Sequence, residues 1–176
     1  MHLRQPAVAG RFYTDVPADL RAEVESFLKQ GAALPASALA AGDAAHLAGL
    51  MLPHAGHVYS GRVIGATLAH VRLPRTVFLL CPNHTGLGTP LSVWPAGAWQ
   101  TPLGPVPVDG EMARLLCEAD EDFSADVMGH VREHSIEVLL PFLQVCAGDA
   151  VTSGTSSADV LSGAAVDMPL SAAGPV

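Results

Sequence analysis

Residues 47–81 read LAGLMLPHAGHVYSGRVIGATLAHVRLPRTVFLLC and predict a strand, a helix and a second strand in succession. The apolar run Leu47–Leu52 has strand length, and Thr76–Cys81 is a second run of the kind found in fully buried strands. Between them, Ser60 is a suitable N-cap for a helix that continues to about Val71. A strand, a helix and a strand this close together form a βαβ unit with parallel strands. The sequence therefore predicts an α/β fold with a mostly parallel sheet flanked by helices.

Outside this unit, apolar residues recur at helical or strand spacing in four places. The predicted elements are a helix at 18–29, a strand at 91–94, a helix at 110–119 capped by Asp109, and a helix at 134–145. Pro141 lies inside the last helix and predicts a kink or an early stop. Residues 100–109 (QTPLGPVPVD) hold three prolines and are predicted to lack regular structure.

The composition excludes several classes of protein. The chain has 176 residues, which is the length of one domain, and its 49% hydrophobic content excludes disorder throughout. Its net charge is −8 and Lys29 is its single lysine, so it has no basic stripe for nucleic acid. It shows no apolar run for a membrane span and no signal peptide, and its three cysteines are not in C-x-x-C spacing. We therefore predict a cytoplasmic protein.

Two histidines follow the two strands of the predicted βαβ unit. In an open parallel sheet, the loops beyond the carboxyl ends of the strands converge on one crevice. Because neighbouring strands lie about 4.8 Å apart, His54 and His84 are close enough to share one metal ion. Gly56 and Gly86 let the two loops bend around a ligand. The alternative is that both histidines are polar residues that cap the strand ends.

Other polar residues are candidates for the same crevice. His57 is either a third ligand or a solvent-facing side chain. Glu133, His134 and Glu137 lie at the start of a predicted helix, where a carboxylate and a histidine orient metal ligands or move protons. The alternative is an ordinary first turn, in which acidic residues are favoured by the helix dipole. Tyr59 is either a source of a hydroxyl for the site or a core residue.

Taken together, these segments resemble the Memo family, whose bacterial and archaeal members are called AmmeMemoRadiSam system protein B. Five pieces over about residues 1–146 carry the resemblance, and they occur in the order of the family. They are PAVAGRFY at 6–13, PHAG at 53–56 with YSG at 59–61, CPNH at 81–84, TPLG at 101–104, and EHSIE at 133–137 with LPF at 140–142.

The resemblance implies an α/β fold similar to class III extradiol dioxygenases, which use non-haem Fe(II). It implies that His54 and His84 are metal ligands for iron or copper, with no nucleotide cofactor. It also implies that His134, Glu133 and Glu137 line the same cleft, where His134 orients the ligands or moves protons and the two glutamates lie on the substrate side. We place Tyr59 on the substrate side with them, as a source of a hydroxyl. Radical-SAM and Ammecr-type proteins are the partners that the resemblance suggests. A redox role follows from it, and the alternatives are a peptide- or partner-binding module and a non-functional fragment.

The chain departs from the family after Phe142. Members of the family have a later histidine that follows an S-S-D-F segment, and a cysteine near the end; neither motif is present here. Residues 147–176 are rich in Ala, Ser and Gly without periodicity, and we expect a poorly ordered tail that a truncated or shifted reading frame has produced. Loss of the later half would leave apolar sheet surface uncovered, which predicts self-association. It would also leave the two histidines without a third protein ligand, which predicts weak metal binding.

Overall fold

Four α-helices and seven β-strands make up the computed structural model, which describes residues 3–35, 49–148 and 165–167. The helices are α1 (Pro17–Ala32), α2 (His57–Leu68), α3 (Gly110–Ala119) and α4 (Leu140–Ala147), and a 3-10 helix (Glu137–Leu139) precedes the last of them. The strands are β1 (Leu3–Arg4), β2 (Leu79–Cys81), β3 (Leu91–Val93), β4 (Gly97–Thr101), β5 (Gly104–Val108), β6 (Phe123–Ala125) and β7 (Ala165–Asp167). The predicted α/β class is confirmed.

The described strands form two mixed sheets where one sheet was predicted, and three of their five strand pairs are parallel. The first sheet has the order β1-β4-β5, with β1 parallel and β5 antiparallel to β4. The second has the order β2-β7-β3-β6, in which the only antiparallel pair among the described residues is β3 with β7. Strand β7 comes from the predicted tail, and the rest of that tail beyond Gly148 lies outside the described residues.

The predicted βαβ unit forms only in part. Its helix is present as α2, but it begins at His57 with Gly56 as the N-cap, so the N-cap prediction for Ser60 is wrong. Of the first predicted strand, the structure describes only residues 49–52. These residues form no strand and pair with no described strand, and Met51 among them is 95% exposed. The second strand is shortened to β2, and it is not fully buried because Leu80 is 61% exposed.

Two proline-containing segments also differ from the prediction. Residues 104–108 form β5, an edge strand whose Pro105 and Pro107 lie opposite Gln100 and Ala98 of β4. A proline is compatible with an edge strand because the missing N–H is on the side that has no partner strand. The last helix begins at Leu140, which places Pro141 in its first turn, where a helix needs no N–H, and not at a kink.

Helices α1 and α2 pack face to face, and His54 lies just before the first residue of α2. Gly61 and Gly65 of α2 lie directly against Phe27 of α1, and a Cβ at Gly65 would come within 2.5 Å of the Phe27 carbonyl oxygen. The glycines therefore allow a close approach of the two backbones. The core then continues from this helix pair to α4, through Leu20, Val24, Ile64, Leu68, Phe142 and Leu143.

No helix in the described ranges is long and apolar enough to cross a membrane.

Candidate functional site

Three histidine rings converge on one face of the molecule. The ring centroids of His54 and His84 are 5.2 Å apart, those of His84 and His134 are 4.6 Å apart, and those of His54 and His134 are 6.1 Å apart. His54 lies in the loop before α2, His84 in the loop after β2, and His134 just before the 3-10 helix. We call these three residues the histidine cluster. The structure therefore brings together the two histidines that the sequence placed at one crevice and His134, which was a further candidate for that crevice.

A buried carboxylate lies beneath the histidine cluster. Glu133 is 1% exposed, and its Oε1 lies 2.9 Å from Nδ1 of His84 and 3.2 Å from Nδ1 of His134. Its oxygens also accept hydrogen bonds from the backbone N–H groups of His84, His134 and Ser135, at 2.6, 2.8 and 3.0 Å. Because a carboxylate can only accept at Nδ1 of His84, that nitrogen carries a proton, and in the neutral ring the lone pair is on Nε2.

The electrostatics keep the carboxylate ionised and favour the neutral forms of His54 and His134. Burial alone would raise the pKa of Glu133, but the hydrogen bonds from the His84 ring and from three backbone N–H groups lower that pKa to about 2. Burial lowers the pKa of His54, and the neighbouring His84 and His134 lower it further. The pKa of His134 is lowered as well, first by burial, although the nearby Glu133 opposes the shift. Neutral imidazole is the form that binds a metal ion.

Local hydrogen bonds fix the loops that carry the histidines. The N–H of His57 donates to the carbonyl of Phe12 at 2.8 Å, and the Ser60 hydroxyl donates to the carbonyl of Ala55 at 2.7 Å. These two bonds fix the loop around His54, and the described residues just before it, 49–52, form no strand. The Ser135 hydroxyl donates to the Pro82 carbonyl at 3.0 Å, which ties the His84 loop to the segment that carries His134.

A turn and an aromatic contact complete the site. Oδ1 of Asn83 accepts from the N–H groups of Thr85 and Gly86 at 2.9 and 3.0 Å, and Gly86 has a positive φ of 66°. This turn directs the chain away just after His84. The Phe12 ring lies 4.8 Å from the His134 ring and covers one side of the cluster.

The other candidates from the sequence lie elsewhere. Glu137 is buried, and its oxygens bind the Arg4 guanidinium, two backbone N–H groups and the Tyr13 hydroxyl, so this carboxylate is a core group and does not face a ligand. Tyr59 is 82% exposed on the first turn of α2. His57 is buried, and its ring nitrogens contact Glu23 and the Val138 carbonyl, which contradicts both predictions for it, a ligand and a solvent-facing side chain.

Sequence reasoning missed Arg4 and Phe12 as parts of this region. Phe12 belongs to the PAVAGRFY piece, and that piece was the one signal that could have pointed to it. Arg4 precedes the piece and has no periodicity or motif of its own, because all its contacts beyond the neighbouring residue are distant in sequence.

The described residues offer one group that could hold a metal ion. Possible ligand atoms of His84, Glu133 and His134 all lie within 4.8 Å of one another. His54 lies against the same rings, and Nε2 of His84 is free for coordination because Nδ1 binds Glu133. Imidazoles above an ionised carboxylate are a donor set that fits a divalent transition metal.

Comparison with known proteins identifies the family. The sequence model of the Memo-like protein family matches residues 4–153. A MEMO1 family protein of Desulfurococcus amylolyticus is 43% identical over 86% of this chain and 55% of its own length. One of Thermotoga neapolitana is 40% identical over 84% and 55%, and one of Sulfolobus acidocaldarius is 43% identical over 83% and 54%. The chain thus spans about half the length of the curated relatives that it matches. On this evidence the chain belongs to the Memo-like protein family.

Proposed function

We propose that this chain binds a divalent transition-metal ion, iron(II) or copper, through His54 and His84. The observation that supports the proposal is the convergence of three imidazoles over one buried, ionised carboxylate. Hard oxygen-binding ions such as Mg²⁺ prefer carboxylates and water, whereas imidazole suits iron, copper and zinc. The cluster therefore favours a transition metal over the ions that prefer oxygen.

In this proposal each remaining residue of the site has a separate task. Glu133 accepts a hydrogen bond from Nδ1–H of His84 and so directs Nε2 outward, as carboxylates behind metal-bound histidines do. His134 is 22% exposed, stacks on His84 and lies within reach of a bound substrate, where it takes up or gives a proton. Glu133 is not a proton donor near neutral pH, because its pKa is lowered to about 2.

The metal would supply redox and Lewis-acid chemistry of the kind found in class III extradiol dioxygenases, which the family resembles. A non-haem iron oxygenase needs three protein ligands on one face of the ion. His54 and His84 supply two of them, and the relatives are about twice as long as the part matched here. We therefore propose metal binding for this chain, and redox activity with radical-SAM and Ammecr-type partners for the full-length architecture.

The test is metal analysis of the folded chain after anaerobic reconstitution with Fe(II). We expect about one iron per chain in the wild type and none in the His54→Ala/His84→Ala variant, because the remaining imidazole cannot hold the ion alone. His70→Ala is the matched control, because the His70 ring contacts the Gly31 carbonyl outside the cluster. This control should keep its iron.

Two results would contradict the proposal. One is a folded wild-type chain without iron, which would favour the binding-module alternative. The other is equal iron in the wild type and the double variant, which would place the ion at other residues. Circular dichroism of each sample shows whether the chain is folded and so separates loss of the site from loss of the fold.

A further inference from the structure

Arg4 lies buried beneath the segment that carries the site. Its Nε donates to the carbonyl oxygen of His130 at 2.9 Å, and one terminal nitrogen donates to the carbonyl oxygen of Glu133 at 2.5 Å. The other terminal nitrogen donates to Oε2 of Glu137 at 2.5 Å. One guanidinium thus holds two backbone carbonyls and one carboxylate of residues 130–137, although these lie 126 to 133 positions away in sequence.

Arg4 is itself fixed on several sides. It belongs to β1 and lies opposite Trp99 in the parallel pair with β4, and its guanidinium carbon sits 4.2 Å from the centre of a Trp99 ring. Glu137, its counter-charge, accepts hydrogen bonds from the N–H groups of Ala7 and Val8 and from the Tyr13 hydroxyl, at 2.8, 3.0 and 2.7 Å. The guanidinium therefore has little freedom to move relative to the sheet.

Glu133 joins this buried network to the histidine cluster within one residue. Its carbonyl accepts from Arg4, and its carboxylate binds Nδ1 and the N–H of His84 and the N–H of His134. A shift of the Glu133 backbone would therefore move the carboxylate away from His84. We propose that Arg4 is a positioning residue, which holds the Glu133 carboxylate under the cluster and thereby sets the tautomer of His84 and the affinity for the metal ion.

The geometry of the guanidinium is what this task requires. Its donors point in fixed, coplanar directions, which allows simultaneous contacts with the His130 and Glu133 carbonyls and with Glu137. A lysine at this position would keep a positive charge next to Glu137, but its single ammonium group cannot reach all three acceptors in the same plane. Arg4→Lys thus keeps a positive charge beside the Glu137 carboxylate while it weakens the hydrogen bond to the Glu133 carbonyl.

The inference rests on the proposed function for its metal readout, but its first readout needs no metal. Long-range nitrogen–proton NMR correlation spectra of the apo chain show which ring nitrogen of His84 carries the proton. We expect the Nδ1–H form in the wild type and a mixture of tautomers in Arg4→Lys. Competition with a chromogenic chelator then measures the affinity for Fe(II), which we expect to fall about 10- to 100-fold in this variant, as when a partner behind a metal-bound histidine is removed.

Two controls separate positioning from general destabilisation. Arg114→Lys changes an exposed arginine that pairs with Glu111 and Glu118 on α3, and it should alter neither readout. Leu20→Ala opens a cavity in the core at a fully buried residue of α1, so it lowers stability without touching Glu133. It should leave the His84 tautomer and the Fe(II) affinity as in the wild type.

The inference is overturned if Arg4→Lys keeps both the tautomer and the affinity of the wild type, or if Leu20→Ala changes them equally. If the wild type binds no Fe(II) but Arg4→Lys still alters the His84 tautomer, the positioning of Glu133 is supported and the proposed metal function fails. Should Arg4→Lys not fold, Tyr13→Phe is used instead, since it removes one bond from Glu137. Tyr13→Phe should then shift the His84 tautomer and the Fe(II) affinity in the same direction as expected for Arg4→Lys, but by less. If neither readout changes, the inference is refuted.

Discussion

The two sheets differ in what they bury: charged side chains are buried next to the first sheet, and apolar side chains are exposed at the end of the second. Next to the β1-β4-β5 sheet, Arg4 and Glu137 are fully buried, and each has several hydrogen-bond partners. At the end of the β2-β7-β3-β6 sheet, Phe78 and Leu80 are 48% and 61% exposed. The buried charges hold the segment that carries His134, whereas the exposed apolar side chains hold nothing in the described structure. Charge is thus buried next to the histidine cluster, and apolar surface is exposed at one end of the described strands.

The largest effect is expected from breaking the buried charge pair. Glu137→Ala leaves the Arg4 guanidinium buried without its counter-charge and removes the acceptor of the Tyr13 hydroxyl. We expect the free energy of unfolding to fall by about 3–5 kcal/mol, because an uncompensated buried charge is strongly unfavourable. Urea unfolding followed by circular dichroism measures this loss.

Glu118→Ala is the matched control for this prediction. Glu118 also pairs with an arginine, Arg114, but that pair is exposed on α3. Exposed ion pairs contribute little to stability, so the unfolding midpoint of this variant should not move. Similar losses in the free energy of unfolding for the two variants would show that the buried pair of Arg4 contributes no more to stability than the exposed pair of Arg114.

The next effect concerns His130, which lies between the two sheets. Its Nε2 donates to the Ser92 carbonyl of β3 at 3.0 Å, and its ring packs edge-on against Trp94 and Trp99. The other nitrogen, Nδ1, is buried without a hydrogen-bond partner, which disfavours the protonated ring. Burial accordingly lowers the pKa of His130 from its ordinary value of 6.5 to about 4.

This lowered pKa predicts the direction of a pH dependence. Well above pH 6.5 the residue is neutral in both the folded and the unfolded chain, and its contribution to stability is complete. As the pH falls from 6.5 to about 4, the unfolded chain takes up a proton that the folded chain does not, so the free energy of unfolding falls. The loss amounts to at most about 3 kcal/mol over this interval.

Urea unfolding at a series of pH values in this interval tests the prediction. His130→Phe keeps an aromatic ring between the two tryptophans and should show a flatter profile, even though it is less stable at neutral pH. His70→Phe, a change outside this contact, should keep the steep decline of the wild type. A decline in His130→Phe as steep as that of the wild type would rule out His130 as its source.

The histidine cluster was partly predictable from sequence, but for a reason that needs revision. Two loops after successive apolar runs were expected to meet, and the rings of His54 and His84 do lie 5.2 Å apart. The first run is not a strand where it is described, however, and the loop is held instead by the Phe12 carbonyl and the Ser60 hydroxyl. Apolar runs showed which segments approach one another, but not which backbone contacts hold them.

Other features depend on partners that are distant in sequence. The contacts of Arg4 are with residues 130–137, so the sequence around Arg4 contains no signal for them. From sequence alone, a single arginine near the N-terminus would be predicted to lie on the surface. Glu137 lies in an EHSIE piece, which suggests a site, although its contacts place it in the core. Proline content likewise predicted no strand at β5. Prolines are tolerated in an edge strand, but the order of strands in the sheet decides which strand lies at an edge, and the sequence of β5 alone does not show it.

The smallest effect on stability, and a clear effect on association, is expected at the end of the second sheet. Strand β2 ends the row of strands in the described part of the chain, and Leu80 on it is exposed beside Phe78. Exposed apolar side chains on an edge strand favour contact with a second copy of the chain. We expect Leu80→Lys to shift sedimentation towards the monomer while it changes the free energy of unfolding by less than about 0.5 kcal/mol.

Leu115→Lys gives this comparison its control, because Leu115 is also an exposed leucine, 44% accessible, but lies on α3. Both substitutions add one positive charge to a chain with a net charge of −8, so a general effect of charge on solubility would appear in both. A shift towards the monomer in Leu80→Lys alone assigns the association to the edge at β2. Equal shifts would mean that the exposed apolar residues of this sheet are ordinary surface, and that the two sheets differ only in where they bury charge.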